Sequence, residues 1–258
     1  MKAISLVRRA AAVTASAAAL ALTAAVAPAT AHADAPGHYY IEVGGTGATP
    51  PAPHCTYSYD AANGALRLGS AAIPVCYPAT AGPVIGTSGP LVDLGNGQVH
   101  PDALTAPSFD ASVQQGYRNT LKAAEDTYHA HPNARITITG YSQGALVADQ
   151  VLQTIAHGTD IPSSQVDGML YADPMQPGTG LGTLLPKGVG IPGLITSPGA
   201  GPVDFGRIPV ERYCLTGDPI CNVTPTDLGG YVRQHPRYPT DVIPQTLGRD
   251  GGNGTTML

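Results

Sequence analysis

The sequence predicts one α/β domain with a mostly parallel central sheet flanked by helices. Three observations carry that expectation. Segments with strand patterning alternate with amphipathic helical segments, the arrangement that connects parallel strands. Hydrophobic residues make up 43% of the 258 residues, enough to bury a sizeable core. No linker separates two independent cores, and no internal repeat divides the chain. Only 12% of residues are charged, which excludes a coiled coil, a charged disordered tail and an ordinary DNA-binding domain.

The elements follow in chain order. Residues 38–44 read as a strand that ends in Gly44-Gly45-Thr46-Gly47. Prolines at 50, 51 and 53 prevent a helix from following, so these glycines are not a dinucleotide-binding turn. Residues 71–76 form a second short strand, and 81–107 a Gly/Pro-rich loop. A helix is predicted from Phe109 to His129, because Phe109, Val113, Tyr117, Leu121, Ala124 and Tyr128 recur in steps of four or three. Ser108 is its N-cap. Arg135 to Thr139 alternates as a strand. A second helix starts at Gly144, carries Val147, Val151 and Ile155 on one face, and stops near Gly158. Residues 168–173 and 209–214 read as further strands. Between them, 174–206 holds 15 Gly or Pro in 33 residues, together with several large aliphatic side chains. That composition predicts a lid-like insertion. After Asn253 the tail is expected to fray.

Residues 1–33 are expected to be a secretory signal peptide, leaving 34–258 as the single domain. Lys2, Arg8 and Arg9 open it, an Ala-rich apolar run extends to Val26, and Ala31-His32-Ala33 offers a cleavage site. The run is short for a membrane anchor. Arg8-Arg9 also allows a twin-arginine route, although the residues after it fit poorly. Removing the leader takes three of the 13 Lys+Arg and none of the 18 Asp+Glu, so the mature net charge is −8. An acidic surface disfavours a nucleic-acid partner. In an exported chain the four cysteines should pair. Of three connectivities, Cys55 with Cys76 and Cys214 with Cys221 joins neighbours in sequence. Zinc is the competing use, but the spacings are not C-x2-C pairs, so no metal is expected.

Gly140-Tyr141-Ser142-Gln143-Gly144 fits G-x-S-x-G between a strand and a helix. In that context Ser142 is a nucleophile held on a sharp turn at the edge of the sheet, the pattern of the α/β-hydrolase fold. A serine needs a base. In that fold the chain order is Ser, then acid, then His, and His235 alone follows both Ser142 and the later acids. The acid is Asp218 or Asp173. Asp218 is favoured, because the Cys214–Cys221 loop would hold it rigidly and it precedes His235 by 17 residues. The oxyanion donors are expected from the backbone N–H of Gln143 and from the Gly44–Gly47 turn, where Thr46 adds a hydroxyl.

Gly44-Gly-Thr-Gly, Cys76-Tyr-Pro, Ser112-Val-Gln-Gln-Gly116, Gly140-Tyr-Ser-Gln-Gly144 and Tyr171-Ala-Asp-Pro together resemble the PE-PPE domain family of serine hydrolases, relatives of cutinases. The resemblance covers about residues 38–240. It implies an α/β-hydrolase fold, and similarity to cutinases around Gly217-Asp-Pro-Ile-Cys221 implies Asp218 as the acid. Residues 1–33 are expected to be a leader and not a PE or PPE module, the Asp-to-His interval is longer than in cutinases, and 174–206 is richer in Gly and Pro. The expectation is a secreted, monomeric, cofactor-independent serine esterase acting on small-molecule or lipid esters of short to medium acyl chains, with cell-envelope association. Acyl transfer to an envelope lipid is one alternative. A non-catalytic envelope-binding protein on a hydrolase scaffold is another.

Overall fold

The computed structural model describes residues 35–47, 49–93, 95–224, 229–249 and 251–258. The expected leader at 1–33 lies outside the described residues. Six strands form one sheet: β1 (His38–Val43), β2 (Ser70–Pro74), β3 (Arg135–Tyr141), β4 (Val166–Tyr171), β5 (Val210–Cys214) and β6 (Gly254–Met257). Their order is β6-β5-β4-β3-β1-β2, and every pairing is parallel. The expected fold class is therefore the observed one. Two long helices, α1 (Phe109–Ala130) and α2 (Gln143–His157), pack on one face.

The strand order explains where a site can lie. From β1 the chain steps outward to β2, then crosses back over β1 to reach β3. The loops leaving the C-terminal ends of β1 and β3 thus diverge and open a crevice between them, the usual ligand position in an open parallel sheet. The Gly44–Gly47 turn and Ser142 are the residues at those two ends.

The two faces of the sheet differ in chemistry. Ile41, Val43, Ile136, Ile138, Leu170 and Val210 meet α1 and α2 in an aliphatic core. The opposite face is built on Tyr40, Tyr59, Tyr141, Tyr171, Tyr213 and Tyr238, joined by Val242, Ile243 and Leu247 of the C-terminal helical run. A chain with no Trp and two Phe uses tyrosine as its bulk apolar residue.

Two expectations need correction. The tail after Asn253 does not fray: Gly254–Met257 adds to the sheet beside β5, and Thr256 Oγ1 donates to Glu211 Oε1 at 2.9 Å. Backbone pairing, which composition does not reveal, orders it. The apolar stripe of α1 is also rotated from the one predicted. Its buried seam is Ser112, Val113, Gly116, Thr120, Ala124 and Thr127, while Phe109, Tyr117, Leu121 and Tyr128 pack from the flanks. Small residues are needed there because a Cβ on Gly116 would stand 2.9 Å from the Tyr77 ring and 3.0 Å from Val147.

Glu42 lies in β1 fully buried among the tyrosines. Asn63 Nδ2 donates to Oε2 at 3.0 Å, and Oε1 has no partner among the described residues. Burial pushes its pKa up to about 7, with Asn63 opposing and Asp60 adding to the shift. A carboxyl with a raised folded pKa binds its proton better folded than unfolded, so stability is lost as pH rises from about 4.5 to 7 and stays lost above. Glu42→Gln, which keeps the shape and cannot ionise, should gain little below pH 4.5 and up to about 3 kcal/mol above pH 8. Denaturant melts at both pH values measure it, and an equal effect at both would overturn the assignment.

Candidate active site

Ser142 sits between β3 and α2 with φ 58° and ψ −120°, a backbone that L-residues avoid unless their surroundings enforce it. The enforcement comes from close packing. A Cβ on Gly144 would stand 2.1 Å from the Val43 carbonyl oxygen and 2.5 Å from that of Gly44. One on Gly140 would stand 2.1 Å from the Gly144 carbonyl oxygen. The turn can thus lie directly against the end of β1 only with glycine on both sides of it. Ser142 N–H donates to the Tyr171 carbonyl at 2.9 Å, which ties the turn to β4.

His235 Nε2 is 2.9 Å from Ser142 Oγ, and His235 Nδ1 is 2.8 Å from Asp218 Oδ2. All three side chains are buried. The Cys214–Cys221 disulfide closes the short loop that carries Asp218. Inside it, Asp218 Oδ1 accepts from Ile220 N–H at 3.0 Å. Cys55 pairs with Cys76, so both expected disulfides are present.

Asp173, the competing acid, lies elsewhere. It and Asp149 share Arg212: Nε donates to Asp173 Oδ2 at 2.8 Å and an Nη donates to Asp149 Oδ2 at 2.7 Å. Arg212 is 2% exposed and stacks over Phe205. Burial, and the Asp173 charge beside it, push the Asp149 pKa up to about 8 against the pull of Arg212. Burial raises Asp173 also, opposed by Arg212. This cluster clamps α2 to β5 and the end of β4, which gives Asp173 a structural contact.

The two residues expected as oxyanion donors face the same crevice. Gln143 opens α2, where first-turn N–H groups have no partner within the helix. Its side chain is locked: Oε1 accepts from Ser112 Oγ at 2.9 Å and Nε2 donates to the Thr80 carbonyl at 3.0 Å. Thr46 lines the cleft beside Ser142. The turn that carries it is braced by Tyr77, whose hydroxyl donates to the Gly44 carbonyl, and by Gly47 N–H donating to Ala79.

Sequence reasoning missed the aromatic housing of His235. The imidazole lies between Tyr141, with centroids 5.0 Å apart, and Tyr231, at 4.9 Å. Tyr141 also donates its hydroxyl to the His235 carbonyl at 2.7 Å. Tyr238 accepts from Leu215 N–H at 2.7 Å and so fixes the Asp218 loop. Only the unusual tyrosine content hinted at this, because no short motif joins residues 141, 231 and 238.

Ser142 opens into a cleft of about 700 Å³. Ile85, Phe109, Leu146, Leu184, Ile191 and Ile195 are among its walls. The insertion supplies one side, through a 3-10 turn at Leu181–Leu184 and a hairpin of Gly190–Ile191 with Ile195–Thr196.

Residues 94–246 match the cutinase family model. The chain is 29% identical over 138 residues to "Uncharacterized PPE family protein PPE28" of Mycobacterium tuberculosis, a match that covers 53% of this chain and 18% of that protein. Among solved structures, a cutinase-like protein from Cryptococcus sp. aligns with TM-score 0.54 and 18% identity, over 83% of this chain and 92% of that one. An acetylxylan esterase aligns with TM-score 0.50 and 20% identity, over 83% and 96%. These structures share the fold.

The close approach at the turn has a direct consequence. Gly144→Ala should push α2 from the end of β1 and cost about 1–3 kcal/mol, whereas Ala145→Gly, one residue along, should cost about 1 kcal/mol. Thermal melts of the two variants test the contact, and a Gly144→Ala protein as stable as the parent would refute it.

Proposed function

The chain belongs to the cutinase family, and we propose that it is a carboxylic ester hydrolase in which Ser142, His235 and Asp218 perform the chemistry. Ser142 Oγ attacks the ester carbonyl carbon while His235 Nε2 takes its proton. Asp218 fixes the tautomer of His235 and faces the imidazolium that forms. The backbone N–H of Gln143 and the Thr46 hydroxyl stabilise the oxyanion. The tetrahedral intermediate collapses, His235 returns the proton to the leaving alcohol, and an acyl enzyme remains. Water, activated by His235, attacks that acyl group and frees the acid and Ser142.

The observation that carries this reading is the unbroken contact from Ser142 through His235 to Asp218, at 2.9 and 2.8 Å. The apolar cleft beside Ser142 supports esters of short to medium acyl chains as substrates. Motifs shared with the PE-PPE domain, and the partial match to a PPE family protein, support placement near that branch of the hydrolases. The protein acts as a monomer outside the cytoplasm, delivered by the leader at 1–33. Its two disulfides support an oxidising compartment, and among the described residues no helix is long and apolar enough to cross a membrane.

Ser142→Ala should lower kcat by on the order of 10⁶ and abolish labelling by a fluorophosphonate. Activity within tenfold of the parent would exclude Ser142 as nucleophile. The two acids should separate by phenotype. Asp218→Asn should lower kcat by about 10⁴ with little change in melting temperature. Asp173→Asn should leave kcat of the folded protein nearly intact and destabilise it, since altering one partner of a buried ion cluster costs up to about 3–5 kcal/mol. A reversed order would make Asp173 the acid.

Leu184→Ser with Leu185→Ser should lower kcat/KM for a medium-chain p-nitrophenyl ester by about tenfold, because each methylene buried against the acyl chain contributes about 0.8 kcal/mol. The acetate ester should be hardly affected. An equal decrease on both esters would place the effect in folding instead of acyl binding.

A further inference from the structure

Segment 76–80 lies between α1 and the turn that carries Thr46, and three α1 residues hold it. Asn119 Nδ2 donates to the Cys76 carbonyl at 2.7 Å. Gly116 leaves room for the Tyr77 ring, which a Cβ there would approach to 2.9 Å. Ser112 Oγ accepts from Thr80 N–H at 3.1 Å. Positions 112, 116 and 119 are spaced by four and three, so they share one helical face. On its other side the segment holds the turn. The Tyr77 hydroxyl donates to the Gly44 carbonyl, and Gly47 N–H donates to the Ala79 carbonyl at 3.0 Å. Ala79 has φ 52°, a left-handed backbone that persists in a residue with a side chain only where its neighbours enforce it.

Ser112 makes one contact more. Its hydroxyl donates to Gln143 Oε1 at 2.9 Å, and Gln143 Nε2 donates to the Thr80 carbonyl at 3.0 Å. Thr80, Ser112 and Gln143 thus close a ring of three hydrogen bonds, and all three residues are buried. Thr80 N–H can only donate, so the one proton of Ser112 Oγ is left for Gln143. That fixes which end of the Gln143 amide faces which partner. Members of such a ring polarise one another, and the loss of any one weakens the rest. Packing alone does not call for it. Ser112 belongs to the seam of α1 beside Val113, where an alanine would bring no polar group that has to be satisfied.

The ring reaches both places that supply oxyanion donors in the mechanism above. Gln143 provides one backbone N–H. Thr80 follows Ala79, whose carbonyl holds Gly47 beside Thr46. We propose that Ser112 is a positioning residue for the oxyanion hole, one that keeps the Gln143 N–H and the Thr46 turn at a fixed separation although they come from distant parts of the chain. Its hydroxyl touches no reacting atom and acts through Gln143 and Thr80. The proposal rests on the roles given to Ser142, Gln143 and Thr46. Oxyanion donors act on charge that develops in the transition state. A loosened ring should therefore cost turnover and leave ground-state binding nearly unchanged.

The test is steady-state hydrolysis of p-nitrophenyl butyrate, with the rate of fluorophosphonate labelling at Ser142 as a second readout, because phosphonylation also places a negative oxygen in the hole. Ser112→Ala should lower kcat by about 10- to 100-fold, short of the roughly 10²–10³ that removal of a donor costs. KM should stay within about threefold, and labelling should slow in proportion to kcat. Gln143→Met breaks the same ring from its other end, keeps the backbone N–H and should show the same split. It carries the test if Ser112→Ala does not fold. The double variant should be no slower than the slower single one, since the ring is lost only once. Val113→Ala loosens the same seam without touching the ring, so it should lower the melting temperature and keep kcat within about twofold. An equal kcat loss in Val113→Ala, additive losses in the double variant, or a rise in KM in place of the fall in kcat overturns the proposal. A parent labelled at Ser142 beside a folded Ser112→Ala protein of unchanged kcat overturns it alone. A parent that is not labelled at Ser142 overturns the catalytic reading and this proposal with it.

Discussion

The contact on which the site depends is the wedge of the Ser142 turn into the end of β1. Gly144 fits only because it lacks a Cβ, which would stand 2.1 and 2.5 Å from the carbonyl oxygens of Val43 and Gly44. That one approach has three effects. It holds Ser142 at φ 58°. It brings the first N–H groups of α2 beside the turn that carries Thr46. It also sets the depth of the crevice between β1 and β3. Strain of this kind persists only where neighbours over-determine it, and here they do. Ser112 and Thr80 hold the Gln143 side chain, Tyr77 holds Gly44, and Tyr171 holds the Ser142 amide.

The sheet separates two tasks by chemistry. Its aliphatic face grips α1 and α2. Its tyrosine face carries the groups that must be oriented. Flat rings with polar ends can pack as core and still anchor a loop, and Tyr141 and Tyr238 both do so. One donates to the His235 backbone and the other accepts from Leu215. His235 opens the short 3-10 turn His235–Arg237. Its position rests on stacking between Tyr141 and Tyr231 and on the Asp218 carboxylate.

Buried charge is concentrated in a different place. Arg212 with Asp149 and Asp173 joins β5, α2 and the end of β4 in a fully desolvated cluster. Such clusters add little net stability over an apolar core, but they tolerate few alternative geometries. This one fixes the strand ends from which both the insertion and the Asp218 loop depart. Glu42 is a further buried carboxyl, in β1. None of these three carboxyls is hydrogen-bonded to Ser142; their partners include Arg212 and Asn63.

Local sequence determined the alternation of strands and helices, the G-x-S-x-G turn and the disulfide partners, because each is set by residues near one another in the chain. The Ser108 cap and the start of α2 are decided by a few neighbours and were legible for that reason. The buried seam of α1 was not, since it follows from how closely α2 and Tyr77 approach, a distance no periodicity encodes. The edge strand at Gly254–Met257 was missed because its order comes from backbone pairing to a strand 40 residues away. Sequence favoured Asp218 over Asp173 as the acid without excluding Asp173. Each ends or follows a strand, and each precedes proline. Only the tertiary structure decided that Asp173 turns towards Arg212 and Asp218 towards His235, because that choice depends on which buried cation or imidazole the completed fold brings within 3 Å.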